Sequence, residues 1–432
     1  MNITVSPPNT IRGELITPSD KSISHRSVIF NSISKGISNI SNFSDGDDCI
    51  STLEVLKKLG VKITQSNQNN SGLSLRIEGI GENLFPNNNL ELNAGNSGTT
   101  IRLMSGILAS KSNGYTLTGD ISLCSRPMER ITSPLNLMGA NINSTNGFPP
   151  LYFSEKKQIL KGIQYSMPIS SAQVKSAVIL AALNAKSDTA ITQPSLSRDH
   201  SERMLTSMGA KIKLINNLIH VKPSSLSSID LEIPGDISSA SYWIVAGLIH
   251  KNAELTIKNV GVNPSRIGIL NVLKRMKANF SLTNNKIIGN EPVADINVSS
   301  SELIGTTIEG DEIPLLIDEI PIICIAASLA QGQTLIKDAN ELRVKESDRL
   351  ESISNVLSKL NVKHINNNDG ILIFGSKKLS GGTHKTFGDH RIAMSIGIAG
   401  LVSEDSINIK NAEVASISYK DFWSHLKMIS EQ

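Results

Sequence analysis

The chain has 432 residues, which suggests two to four domains. Lys and Arg number 42 against 39 Asp and Glu, a net charge of +3, too balanced for a nucleic-acid coat or a membrane-surface patch. Cys49, Cys124 and Cys324 lie far apart without CxxC or Cys/His spacing, so neither a disulfide framework nor a zinc site is expected, and a reducing cytoplasm fits best.

The opening "MNITVSPPNTIRGEL" lacks the apolar stretch of a secretory signal. No later run reaches the ~18 uninterrupted apolar residues of a membrane span, and "IPIICIAASLA" is too short. A soluble protein without a membrane partner is therefore expected.

From there the chain alternates two kinds of segment. One is apolar, rich in small residues and opened by a polar cluster: "SDKSISHRSVIF", "NSGTTIRLMSGILA", "SSAQVKSAVILAAL", "DISSASYWIVAGLI", "IDEIPIICIAASLA" and "DHRIAMSIGIAGLV". These are too hydrophobic for surface helices and predict buried ones. The other ends an amphipathic pattern and turns into a strand: "LKKLGVKI" (56–63), "LNLMGANI" (135–142), "LTSMGAKI" (205–212), "LKRMKANF" (273–280) and "LSKLNVKH" (357–364). Gly, Lys or Asn stands near each helix end, as a C-cap requires. With strand-like pieces such as "YTLTG" between them, the pattern reads as six copies of a strand–helix–strand–helix–strand unit, an α/β chain of duplicated modules.

The polar openings hold the chemistry. Ser, Asp and Asn there cap helices. Capping does not explain Lys21, Arg26, Arg102 and Arg391 in early turns, where the helix dipole disfavours cations. A bound anion would relieve that conflict. "NAGNSGTTIR" is a Gly-rich turn into a helix, but it lacks the GK[ST] ending of a nucleotide loop. "FGDHRIAM" reads as Asp389 capping a helix and pairing with Arg391. The most specific stretch is "LRVKESDRL" (342–350). On one helix, Lys345 and Arg349 would share a face and, with nearby acids, form a fork for carboxylate or phosphate. His25, His200 and His390 show no ligand spacing and read as hydrogen-bonding residues, so no metal is expected.

Taken together, "SDKSISHR", "GNSGTTIRL", "GDISLCSRPM", "SAQVKSA", "SRDHSERM", "PGDISSA", "LIDEIP", "RVKESDR" and "GDHRIAM", in that order along nearly the whole chain, resemble the 5-enolpyruvylshikimate-3-phosphate synthase (3-phosphoshikimate 1-carboxyvinyltransferase) family. The resemblance implies a two-domain inverse barrel of six βαβαββ repeats, three per domain. One domain would span 18–234, and the other would join 1–17 to 235–432. It further implies transfer of the enolpyruvyl group of phosphoenolpyruvate to the 5-hydroxyl of shikimate 3-phosphate, with release of phosphate, in chorismate and aromatic amino acid biosynthesis. No cofactor or metal is needed, the partners are those two small molecules, and a monomer is the usual form.

Carried over by position, Lys21, Ser22, Arg26, Ser171, Ala172, Gln173, Ser197, Asp318 and Lys345 match shikimate 3-phosphate contacts. Lys21, Gly98, Arg126, Gln173, Arg349 and Arg391 match phosphoenolpyruvate contacts. Asp318 matches the base for the 5-hydroxyl, Glu346 a proton donor or shuttle at the methylene carbon, and Lys21 a third catalytic group. Ala172 departs from the pair of serines many members carry before the Gln. UDP-N-acetylglucosamine enolpyruvyl transferase is the enzymatic alternative, but its reactive Cys five residues before the loop Arg-Pro is Ile121 here, and Cys124 lies two before Arg126. A non-catalytic anion-binding repeat protein is the other alternative, against which Asp318 and Glu346 speak.

Overall fold

The computed structural model describes residues 1–67, 72–81, 89–111, 114–154 and 159–431. Six helices correspond to the apolar segments: α1 (Lys21–Ser32), α2 (Gly98–Leu108), α3 (Ala172–Ala182), α4 (Ile237–Ile249), α5 (Ile320–Leu329) and α6 (His390–Gly400). Five begin at a side-chain cap. Asp20 accepts from the Ile23 amide, Ser97 from Thr100, Ser171 from Val174, Asp236 from Ser238 and Asp389 from Arg391. Beyond the cap, α4 is buried from Ile237 to Leu248 and α5 from Ile320 to Ser328, as all-apolar helices require. The small residues let backbones touch. A Cβ on Gly106 of α2 would stand 2.2 Å from the Ala177 carbonyl of α3, so Gly106→Ala should cost about 1–3 kcal/mol by overpacking.

Each buried helix belongs to one repeat. In the plainest copy, strand Leu90–Asn93 precedes α2, strand Tyr115–Thr118 follows it, and helix Glu129–Leu137 leads to the hairpin Ile142–Thr145/Phe148–Phe153. The first two strands pair in parallel, Leu90 opposite Tyr115, as a helical crossover requires. The hairpin then adds antiparallel strands, its second arm next to Tyr115–Thr118. The same order recurs around α3, and around α5 with Thr307–Ile308 as its first strand.

Three copies borrow a strand from far along the chain. The α1 repeat takes Leu231–Glu232 as its first strand, parallel to Lys35–Phe43. The α4 repeat takes Ile11–Ile16, parallel to Ala253–Gly261. Among the described residues the α6 repeat has three strands instead of four, and its antiparallel one is Asn2–Val5.

The five repeat endings share one turn. Gly60, Gly139, Gly209, Lys277 and Asn361 all have positive φ, between 59° and 97°. The next amide bonds back across the last helical turn: Val61 to Leu56, Ala140 to Leu135, Ala210 to Leu205, Ala278 to Leu273 and Val362 to Leu357, at 2.9–3.1 Å. This is the six-to-one bond of a Schellman motif, which satisfies an orphan carbonyl and aims the chain into the next strand.

The chain forms two compact units. The first comprises Ser19–Ile233 and Ile287–Glu291, with α1, α2 and α3. The second comprises Met1–Pro18, Pro234–Lys286 and Pro292–Gln432, with α4, α5 and α6. Among the described residues, no helix is long and apolar enough to cross a membrane.

Candidate active site

In the first unit the opening turns of α1, α2 and α3 are bonded to one another. Arg26, 3% exposed, points from α1 toward α3. Its Nε donates to Ser201 Oγ at 2.8 Å, Nη1 to the Ser22 carbonyl at 2.9 Å and Nη2 to Ser176 Oγ at 3.2 Å. Burial lowers its pKa to about 10 against the opposing pull of Glu202, so it remains charged at neutral pH. Gln173 of α3 links to α2 twice, accepting from Arg102 Nη1 at 2.6 Å and donating to Thr99 Oγ1 at 3.0 Å.

Gly98 opens α2 under two guanidinium groups. A Cβ there would lie 2.9 Å from Arg102 Nη1 and 3.3 Å from Arg126 Nη1. Arg126 is held by Asn96 Oδ1 at 2.8 Å, with Ser122 Oγ at 3.3 Å. Lys21, exposed at the start of α1, forms an ion pair with Asp48. Burial works against the Asp48 carboxylate, but Lys21 outweighs it and brings its pKa below the usual range. His25 bonds Thr52 at 2.7 Å, and Thr52 bonds Thr100 at 2.7 Å. Burial, reinforced by Lys21, depresses its pKa to about 3, so the ring is neutral. Ser171 is occupied as the cap of α3, with Ala172 as the first helical residue. Ser197 Oγ donates to Gln193 Oε1 at 2.9 Å.

In the second unit the centre is Arg349, 1% exposed. Nε donates to Asp389 Oδ2 at 2.8 Å, Nη1 to Asp318 Oδ1 at 3.4 Å and Nη2 to Glu346 Oε2 at 2.5 Å. Arg391 donates from Nη1 to the Asp318 carbonyl at 3.0 Å, with Nη2 3.7 Å from the Asp318 carboxylate. Burial would lower the Arg391 pKa, but Asp318 and other nearby acids raise it above the ordinary arginine value. Partial burial alone would raise the Glu346 carboxyl. Arg349, with His390 behind it, outweighs that and holds it below its ordinary value. Burial and then Arg391 lower the His390 pKa to about 4.

Two readings of the sequence change here. "LRVKESDRL" is not one helix. A 3₁₀ turn covers Asn340–Val344, the chain bends through Glu346 and Ser347, and Asp348 caps a new helix, Arg349–Lys359, by accepting from Glu351. Lys345 therefore shares no helix face with Arg349, and its Nζ pairs with Glu341 at 3.1 Å. Asp389 does cap α6, but its side-chain ion pair is with Arg349, while Arg391 turns to Asp318. Sequence reasoning did not single out Asp389 as the partner of Arg349, Arg102 as a partner of Gln173, or the buried Lys175 and Glu202. Arg102 alone carried a signal, as a cation misplaced in an early helical turn.

A family model described as EPSP synthase (3-phosphoshikimate 1-carboxyvinyltransferase) matches residues 5–426. A 3-phosphoshikimate 1-carboxyvinyltransferase of Thermoanaerobacter sp. (strain X514) is 47% identical over 431 residues, covering 99% of this chain and 100% of the relative. One of Bacillus cereus (strain G9842) is 43% identical, with 99% of each covered. Among solved structures, an EPSP synthase from Acinetobacter baumannii superposes with a TM-score of 0.91 at 38% identity, covering 99% of this chain and 98% of that one.

Proposed function

The chain belongs to the EPSP synthase family, and from that premise we propose how its residues divide the work of the reaction. The enzyme transfers the enolpyruvyl group of phosphoenolpyruvate to the 5-hydroxyl of shikimate 3-phosphate and releases phosphate. Protonation of the methylene carbon and attack of the hydroxyl oxygen on the adjacent carbon give a tetrahedral intermediate. Expulsion of phosphate and loss of a proton from the new methyl group restore the vinyl ether. Two polyanions must be held in reacting geometry, and protons must move in both halves of the sequence.

In this reading Lys21, Ser22, Arg26, Ser171, Ala172, Gln173 and Ser197 hold shikimate 3-phosphate, with Asp318 and Lys345 as further contacts. Lys21, Gly98, Arg126, Gln173, Arg349 and Arg391 take phosphoenolpyruvate. Asp318 accepts the hydroxyl proton. Glu346 is ionised in the free protein, so it can deliver a proton only after taking one up, which makes it a shuttle and not a resting acid.

The observation that carries this reading is Arg349. Its two terminal nitrogens already hold carboxylates, those of Asp318 and Glu346. A guanidinium that grips two internal carboxylates is suited to a substrate carboxylate, and exchanging one for the other releases the two acids for proton transfer. We also propose a cytoplasmic monomer, a setting supported by the three free cysteines. The test is phosphate release by the purified chain. Release should require both substrates and be matched mole for mole by an enolpyruvyl ether product. Phosphate release from phosphoenolpyruvate alone, or none with both present, would contradict the reading.

A further inference from the structure

The loop 193–199, between strand Thr189–Thr192 and helix His200–Ser207, has no regular structure of its own but carries Ser197. Two ties from the start of α3 shape it. Ser170 Oγ donates to the Ser195 carbonyl at 2.7 Å and accepts from the Ser195 amide at 2.9 Å. Lys175, in the second turn of α3, donates to the Ser197 carbonyl at 3.1 Å.

Lys175 is fully buried, and its Nζ lies 2.7 Å from Glu202 Oε1 on helix His200–Ser207, itself 6% exposed. Stability does not account for such a pair. Desolvating both ions costs about what their attraction returns, and apolar side chains of similar volume serve a core as well or better. What the pair supplies is position. Lys175 fixes the Ser197 carbonyl. Arg26 hangs from Ser176, next to Lys175, and from Ser201, next to Glu202, and those two hydroxyls are themselves 2.6 Å apart. The ion pair thus clamps α3 to helix His200–Ser207 at the point where both hold Arg26.

We propose that Lys175 and Glu202 are positioning residues for shikimate 3-phosphate, touching no substrate themselves but holding Arg26 and the Ser197 loop in the arrangement that forms its binding subsite. The proposal rests on the reading that Arg26 and Ser197 form that subsite. Because the pair is net neutral, its removal leaves the local charge unchanged and acts through geometry.

Lys175→Met alone strands the Glu202 carboxylate, so the deciding variant is Lys175→Met/Glu202→Met. Calorimetric titration with shikimate 3-phosphate, without phosphoenolpyruvate, should show a dissociation constant raised about tenfold or more, as small misplacements at a binding group produce. The melting temperature should stay near that of the wild type, and the KM for phosphoenolpyruvate should stay within twofold. A folded double variant with wild-type affinity overturns the proposal. So does one that does not fold, because the pair would then be serving the core. Arg26→Gln separates the two levels. If it leaves shikimate 3-phosphate binding intact, the subsite itself is misassigned; if it weakens binding while the double variant does not, only the positioning role falls.

Discussion

The two units hold their central arginines in different ways. Arg26 of the first is bonded by two serine hydroxyls and a backbone carbonyl. Arg349 of the second is bonded by three carboxylates. Neutral acceptors orient a guanidinium without cancelling its charge, which leaves it able to attract an anionic group. Carboxylates do cancel it, and in the proposed function the substrate carboxylate displaces those of Asp318 and Glu346, which frees both acids for proton transfer. The first arrangement suits a binder, the second a site where binding is coupled to proton transfer.

The sharpest way to break this contrast is Asp318→Asn. The substitution keeps size and most hydrogen bonding but removes the carboxylate proposed to accept the hydroxyl proton. Turnover should fall by at least ~100-fold. The KM for phosphoenolpyruvate should stay level or drop, because Arg349 and Arg391 lose a competing carboxylate. Steady-state kinetics reads both, and near-normal turnover would remove Asp318 from its role.

Arg349→Lys comes next in size. A lysine keeps the charge but lacks the planar pair of donors. Loss of one charge-assisted bond to substrate corresponds to about 1.5–3 kcal/mol, roughly a ten- to hundredfold rise in the KM for phosphoenolpyruvate, with a much smaller change for shikimate 3-phosphate. Because Asp389 is fully buried and loses a donor, stability should also fall by about 1–3 kcal/mol, measurable by urea unfolding. Equal shifts in both Michaelis constants would dissolve the contrast.

The smallest effect concerns acid. Burial depresses His25 in the first unit to about 3, and His384 and His390 in the second to about 4. In the unfolded chain these imidazoles titrate near their ordinary value of 6.5. Below that pH the unfolded state binds protons the native state refuses, so stability falls as pH drops from about 6.5 toward 4. The lowered Glu346 and Asp389 carboxyls act in the same direction lower down, since stability present above their unfolded pKa is lost on acidification. Most of these groups lie in the second unit, as do both tryptophans, Trp243 and Trp423. Tryptophan fluorescence should therefore report loss of structure at a higher pH than far-ultraviolet dichroism, which averages both units. Coincident transitions would argue against the imbalance.

Much of this architecture was legible because local physics repeats. A polar cap before an apolar helix and a left-handed residue after an amphipathic one need only a few adjacent residues, and both recur along the chain. Strands borrowed from a distance were not legible. Nothing near α4 indicates that Ile11–Ile16, more than two hundred residues earlier, supplies its first strand, because parallel pairing leaves no local mark. The site divides in the same way. Misplaced cations at helix starts revealed Lys21, Arg26 and Arg391. Ion pairs made across the fold stayed hidden: Asp389 meets Arg349 across forty residues, and Lys175, which looks like one polar residue in a helical run, meets Glu202. The break in "LRVKESDRL" was missed because its charges fit helical spacing, while the preference of Asp348 for a cap decided the outcome.

The contrast between binder and proton-coupled site is tested most directly by titrating shikimate 3-phosphate, alone, into Arg26→Gln and Asp318→Asn in parallel. Arg26→Gln should lose about tenfold or more in affinity, as removal of a charge-assisted bond implies. Asp318→Asn should bind within about threefold of the wild type while turning over at least ~100-fold more slowly. Equal losses of affinity in the two variants, or the larger loss in Asp318→Asn, would contradict the account.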